Sequence, residues 1–131
     1  MLAIYHLCGG VPLAELFGMD VVLHDTGVTH LPDVRRAVLV GTALSPARRS
    51  TKPDGTVVHT LWGELAHQLF GAKGYAMVAE ADQAGVSPGS DALRQLFDLA
   101  SPCLVLIDEW VAYVRQLYGV NGLPAGASTP I

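Results

Sequence analysis

Five apolar residues, Cys103-Leu104-Val105-Leu106-Ile107, run without interruption into two adjacent carboxylates, Asp108 and Glu109. An unbroken apolar run of this length suits a strand covered on both faces, as in parallel sheets. Pro102 removes a backbone donor and sets the entry to the strand. Ligands of open parallel sheets bind beyond the carboxyl ends of the strands, where these two acids stand. An aspartate there can help hold a magnesium ion, and a glutamate directly after it can polarise an attacking water. Successive strand residues point to opposite faces, so both acids serve one site only if the strand ends at Asp108. A structural reading stands beside this one. Asp108 would be the N-cap of the next helix, and Glu109, in its first turn, would favour the helix dipole.

A second run, Arg35-Arg36-Ala37-Val38-Leu39-Val40, closes on Gly41-Thr42 and is again apolar at its centre. The two runs are expected to lie parallel and adjacent, 37–41 beside 104–108, with helices on both faces. That is an α/β fold with a small parallel sheet. Half of the 131 residues are apolar and only 15% are charged, enough for one real core and against global disorder. The net charge of -4 argues against a surface built wholly for nucleic acid. Cys8 and Cys103 form no CxxC pattern, and Cys103 falls in a strand, so a reduced core thiol is expected. No apolar run approaches the ~18 residues of a membrane span, and no basic leader precedes residues 2–8. The cytoplasm is the expected compartment.

Residues 2–8 read as a helix stopped by Gly9-Gly10. No Ser, Thr, Asp or Asn caps its start, so Met1 is expected to follow missing upstream sequence. Residues 12–18 read as a second helix begun by Pro12, while Val21-Val22-Leu23 stays open between helix and strand. Residues 43–59 form a long loop with a turn at Asp54-Gly55. Thr60 is expected to cap a helix over 61–70 that Gly71 stops, followed by a shorter helix over 75–82. Ser90 is expected to cap a helix to about Leu99. After the acids, Trp110, Val111, Val114, Leu117 and Tyr118 form a helical apolar stripe, with Tyr113 and Arg115 facing elsewhere. Residues 1–119 are read as one domain and 120–131 as linker or disordered tail.

Five of the eight basic residues are Arg35, Arg36, Arg48, Arg49 and Lys52. A loop carrying the last three is a solvated loop in one reading and a contact for phosphate backbone or a protein substrate in the other. No interleaved aromatic offers a base-stacking platform. The five histidines show neither HxxxH nor HExxH spacing, and GxSxG is absent. The sequence also has no G-x-x-x-x-G-K-[ST], since Gly71-Ala72-Lys73-Gly74 has the wrong order.

Three segments carry a resemblance: Leu2-Ala3-Ile4-Tyr5-His6-Leu7, Thr60-Leu61-Trp62-Gly63-Glu64-Leu65-Ala66, and 102–109 together with Tyr113 and Arg115. The chain resembles large bacterial ATPases of the AAA+ branch of P-loop proteins that carry a domain of unknown function, some of them in anti-phage defence gene clusters. The resemblance implies an incomplete P-loop core beginning just after the phosphate loop. It implies Asp108 as the magnesium-linked acid, through water, and Glu109 as the water-activating base. It also implies ATP and Mg2+ as cofactors of the parent protein, with none bound tightly by this chain alone, which would be inactive. The loop over 43–59 would take the place of a substrate-contacting pore loop. Faces meant for absent elements would be exposed and could self-associate. The alternative is a non-catalytic α/β interaction module in which Asp108 and Glu109 only cap a helix.

Overall fold

The computed structural model of the chain describes residues 2–28, 33–46 and 48–118. The expected tail over 120–131 lies outside the described residues. The fold is α/β. Two strands, β1 (Arg35–Val40) and β4 (Cys103–Asp108), pair parallel in one continuous register, with Ala37 opposite Val105 and Val40 opposite Asp108. The expected pairing is met.

The face of β1 that carries Ala37 and Leu39 is sealed by α3 (Leu61–Ala76). Leu61, Leu65, Ala66 and Leu69 recur at helical spacing and meet both strand residues, each of which is 1% exposed. α4 (Ala79–Ala84) and α5 (Gly89–Ala100) pack behind α3, and Leu96 and Ala100 complete the core. On the opposite face, Arg36 lies over the Tyr5 ring and donates to the Tyr5 carbonyl at 2.9 Å. This contact ties α1 (Leu2–Leu7), which has no buried residue of its own, to β1.

The open edge of β1 is closed by a side chain. Gln68 accepts from the Val38 N–H at 2.7 Å and donates to the Val38 carbonyl at 3.0 Å. One amide thus satisfies both edge groups of Val38 and blocks further pairing there.

β4 departs from the expectation of full cover. Its first four residues are half-buried and Ile107 is 48% exposed, although its register partner Leu39 is buried. The cause is placement: α3 is centred on β1, and among the described residues β1 is the only strand beside β4.

Several local expectations are also corrected. The helix expected over 12–18 is a 3-10 turn at Leu13–Glu15 followed by α2 (Met19–Thr26), so Val21-Val22-Leu23 is helical. The loop over 43–59 contains a hairpin, β2 (Ser50–Thr51) against β3 (Val57–Val58), turned at Gly55 with φ 85°. The stop at Gly71 is real. Phe70 and Gly71 leave helical geometry, but the chain resumes a further helical turn and α4 starts only at Ala79. Ser90 caps nothing, because α5 starts two residues earlier than expected, at Gly89, with Pro88 at its cap position.

The last helix, α6 (Trp110–Leu117), turns Tyr113 and Leu117 inward and leaves most of its apolar stripe uncovered. Tyr113 is its buried residue, at 6% exposure, while Trp110, Val111, Val114 and Tyr118 are exposed. Leu117 alone of the expected stripe packs against the core.

Candidate functional site

At the carboxyl ends of the two strands the backbones approach closely. The Gly41 N–H donates to the Asp108 carbonyl at 2.8 Å, which extends the pairing one step past Val40. Glu109 then turns out of the strand in the left-handed conformation, φ 52° and ψ 37°. For a residue other than glycine this costs about 1–3 kcal/mol, and strain of that kind collects at functional sites. It also breaks the strand alternation that would have sent the two carboxylates to opposite faces.

The Glu109 side chain returns toward β1, where the Thr42 hydroxyl donates to Oε2 of its carboxylate. Asp108 is exposed, and its Oδ1 accepts from the Glu109 N–H at 2.8 Å. Each acid therefore has one engaged oxygen and one further oxygen without a partner among the described residues.

The structural alternative fares differently. Glu109, not Asp108, occupies the cap position of α6, and it makes no side-chain cap bond. The left-handed turn swings its carboxylate to Thr42, away from the free N–H groups of the helix.

Gly41 makes this geometry possible. It is buried, and a Cβ there would overlap the Glu109 carbonyl oxygen. Its own carbonyl accepts from the Gln116 amide at 3.0 Å, which fastens α6 to the end of β1. Gly41→Ala is expected to force the strand ends apart and to destabilise by about 1–3 kcal/mol. Urea denaturation followed by circular dichroism measures this, and an unchanged midpoint would show that the strand end yields freely.

A second polar cluster holds the start of α3. Asp82 is fully buried, and its carboxylate accepts from the Thr60 N–H at 2.7 Å, the Thr60 hydroxyl at 2.6 Å and the Tyr75 hydroxyl at 2.9 Å. The His59 N–H lies 3.0 Å from Oδ2, and His59 Nδ1 lies 2.9 Å from the same oxygen. Thr60 is the expected cap, and its hydroxyl accepts from the Gly63 N–H at 3.2 Å. A side chain at position 63 would overlap the Asp82 carboxylate, which gives the Thr60-Leu61-Trp62-Gly63 segment a packing reason. Burial alone would raise the pKa of Asp82, but hydrogen bonds from Thr60, His59 and Tyr75 outweigh it and hold the acid below the usual carboxylate value. Burial and the bond to Asp82 push Tyr75 up to about 12.

The basic residues divide. Arg35 lies over the Phe70 ring at 4.5 Å, and Arg36 is bound to Tyr5. Lys52 pairs with Glu64 at 2.5 Å, with both side chains largely buried. Arg48 and Arg49 remain exposed. Sequence reading missed Asp82, and it missed the link from Thr42 to Glu109. Neither leaves a spacing signal, because the partners lie 22 and 67 positions apart. Among the described residues no three His, Cys, Asp or Glu side chains form a metal-binding group, and no helix is long and apolar enough to cross a membrane.

A family model described as the DUF499 N-terminal domain matches residues 33–121, roughly two thirds of the chain. The chain belongs to this family. The expected kinship with proteins carrying a domain of unknown function is thereby met. The DUF499 match takes in β1 through α6 and with them Thr42, Asp82, Asp108 and Glu109, whereas α1 and α2 fall outside it. No curated protein and no solved structure matches the chain.

Proposed function

We propose that this chain is part of an ATP-hydrolysing motor of the AAA+ type and contributes the acidic side of its active site. The observation that carries the reading is the pair of carboxylates at the carboxyl end of a parallel strand, with Glu109 drawn back to Thr42 of the neighbouring strand end. In this reading Asp108 is the magnesium-linked acid and Glu109 the base that takes a proton from the attacking water. Both acids offer hard oxygens with unengaged positions. A magnesium ion commonly uses one or two carboxylates together with substrate phosphates and waters. When bound, the ion would neutralise charge on the phosphates. The Thr42 hydroxyl keeps Glu109 at the strand end, where a water could be presented to it.

The sequence has no phosphate-cradling G-x-x-x-x-G-K-[ST], so the triphosphate would be gripped by residues outside these 131. The chain alone is expected to show no magnesium-dependent ATP turnover. In a polypeptide that also supplies that loop, magnesium should tighten ATP binding. Asp108→Asn should weaken the magnesium-dependent binding about 10- to 100-fold, by loss of a charge-assisted contact. Titration calorimetry with and without magnesium decides this, and equal affinities for the two proteins would remove Asp108 from the metal role.

A non-catalytic interaction module is the second reading. The exposed apolar side chains of α6 favour it, and the missing cap bond at Glu109 does not.

A further inference from the structure

We propose that a cavity of about 580 Å³ on the outer side of β1 binds a small phosphate-bearing ligand. The cavity lies between the strand end, the hairpin loop and the first turns of α3. Its volume is in the range of small-molecule sites. Arg48 and Arg49 line it, and both side chains are exposed. Lys52 and Glu64 line it too, but they neutralise each other at 2.5 Å. Two positive charges are therefore left over among the described lining residues, both on guanidinium groups. These groups match phosphate oxygens with paired hydrogen bonds.

Part of the wall is fixed by a buried acid. His59 lines the cavity with its Nδ1 on the buried Asp82 carboxylate, which orients the ring and leaves Nε2 as the second polar atom. Ser45 and Ser50 add hydroxyl donors. Among the described residues Tyr113 is, apart from His59, the only aromatic lining the cavity, so they offer no stacking platform for successive bases and suit a small ligand better than a strand. No residue of β4 lines the cavity, and neither does Glu109. Thr42, whose hydroxyl holds Glu109, does line it, so the cavity adjoins the strand-end acids, while its two arginines carry the proposal whether or not the ATPase reading holds.

Titration calorimetry of the chain with sodium pyrophosphate, without magnesium, tests this. One binding site is expected, weakened roughly tenfold by Arg48→Ala and again by Arg49→Ala. Arg94→Ala, at an exposed arginine that does not line the cavity, should leave the affinity unchanged. Both arginines are exposed, and unchanged thermal unfolding of the variants checks that the fold is kept. No binding at millimolar pyrophosphate would overturn the proposal. So would binding indifferent to both arginines, or binding of a short oligothymidylate with none of pyrophosphate.

Discussion

Asp82→Ala is expected to be strongly destabilising. The carboxylate is fully buried and accepts from two backbone N–H groups, the Thr60 hydroxyl, the Tyr75 hydroxyl and the His59 ring. Its removal leaves several of these donors buried without a partner, each costing about 1–3 kcal/mol. Breaking a buried charged network typically costs about 3–5 kcal/mol in total. Against the roughly 5–15 kcal/mol that holds a domain together, this is a large share. The thermal midpoint should fall by about 15 °C or more, or the protein should not fold at all. Thr60→Val is the graded companion. It removes one of these donors together with the α3 cap, and should cost about 0.5–2 kcal/mol. A loss below about 1 kcal/mol for Asp82→Ala would mean that water or a local rearrangement satisfies the cluster.

The same residue sets a pH response. Its folded pKa lies below the unfolded value, so the stabilisation it contributes is complete above about pH 4. That stabilisation is lost as the pH falls through the folded pKa. Acid unfolding monitored by circular dichroism should therefore be steeper in the natural chain than in an Asp82→Asn protein that still folds.

Glu109→Gln should abolish hydrolysis while sparing nucleotide binding in a polypeptide that also carries the phosphate loop. Glutamine keeps the shape of the side chain and an oxygen that can accept from Thr42, so the strand end should hold its geometry. What it loses is the ability to take a proton. General-base catalysis is typically worth about 10²–10⁴-fold in rate, and a loss of that size is expected. Steady-state phosphate release together with nucleotide titration separates turnover from binding. Retained turnover would take Glu109 out of the base role. Glu109→Gly makes the complementary point. Glycine tolerates the left-handed backbone at φ 52°, so this protein should be equally or more stable while inactive. An inactive but stabilised variant would show that the strain at this position serves chemistry rather than folding.

The elements with strong periodicity were legible from the residues. Both strands, their parallel pairing, the Thr60 cap and the break at Gly71 are local or near-local signals, and the structure keeps them. The short elements were not. α2 and the 3-10 turn before it bury only Leu23, so no clear apolar face marked them. The hairpin over 50–58 contributes two residues per strand, too few to show alternation. The face of α6 was misassigned because a broad apolar stripe predicts burial only if something covers it. Here Tyr113 and Leu117 meet the core, and among the described residues nothing covers Val111 or Val114.

By itself the sequence determined the longer helices and the two paired strands, that these two run parallel, and that two acids stand at the carboxyl end of one of them. These follow from apolar runs, caps and chain direction, which need no partner to be read. Tertiary structure alone decided that Thr42 holds Glu109, that Asp82 anchors His59 and Thr60, and that Gln68 closes the edge of β1. Each is a contact between residues far apart in the chain. Its strength depends on burial and orientation, and these arise only once the elements have packed.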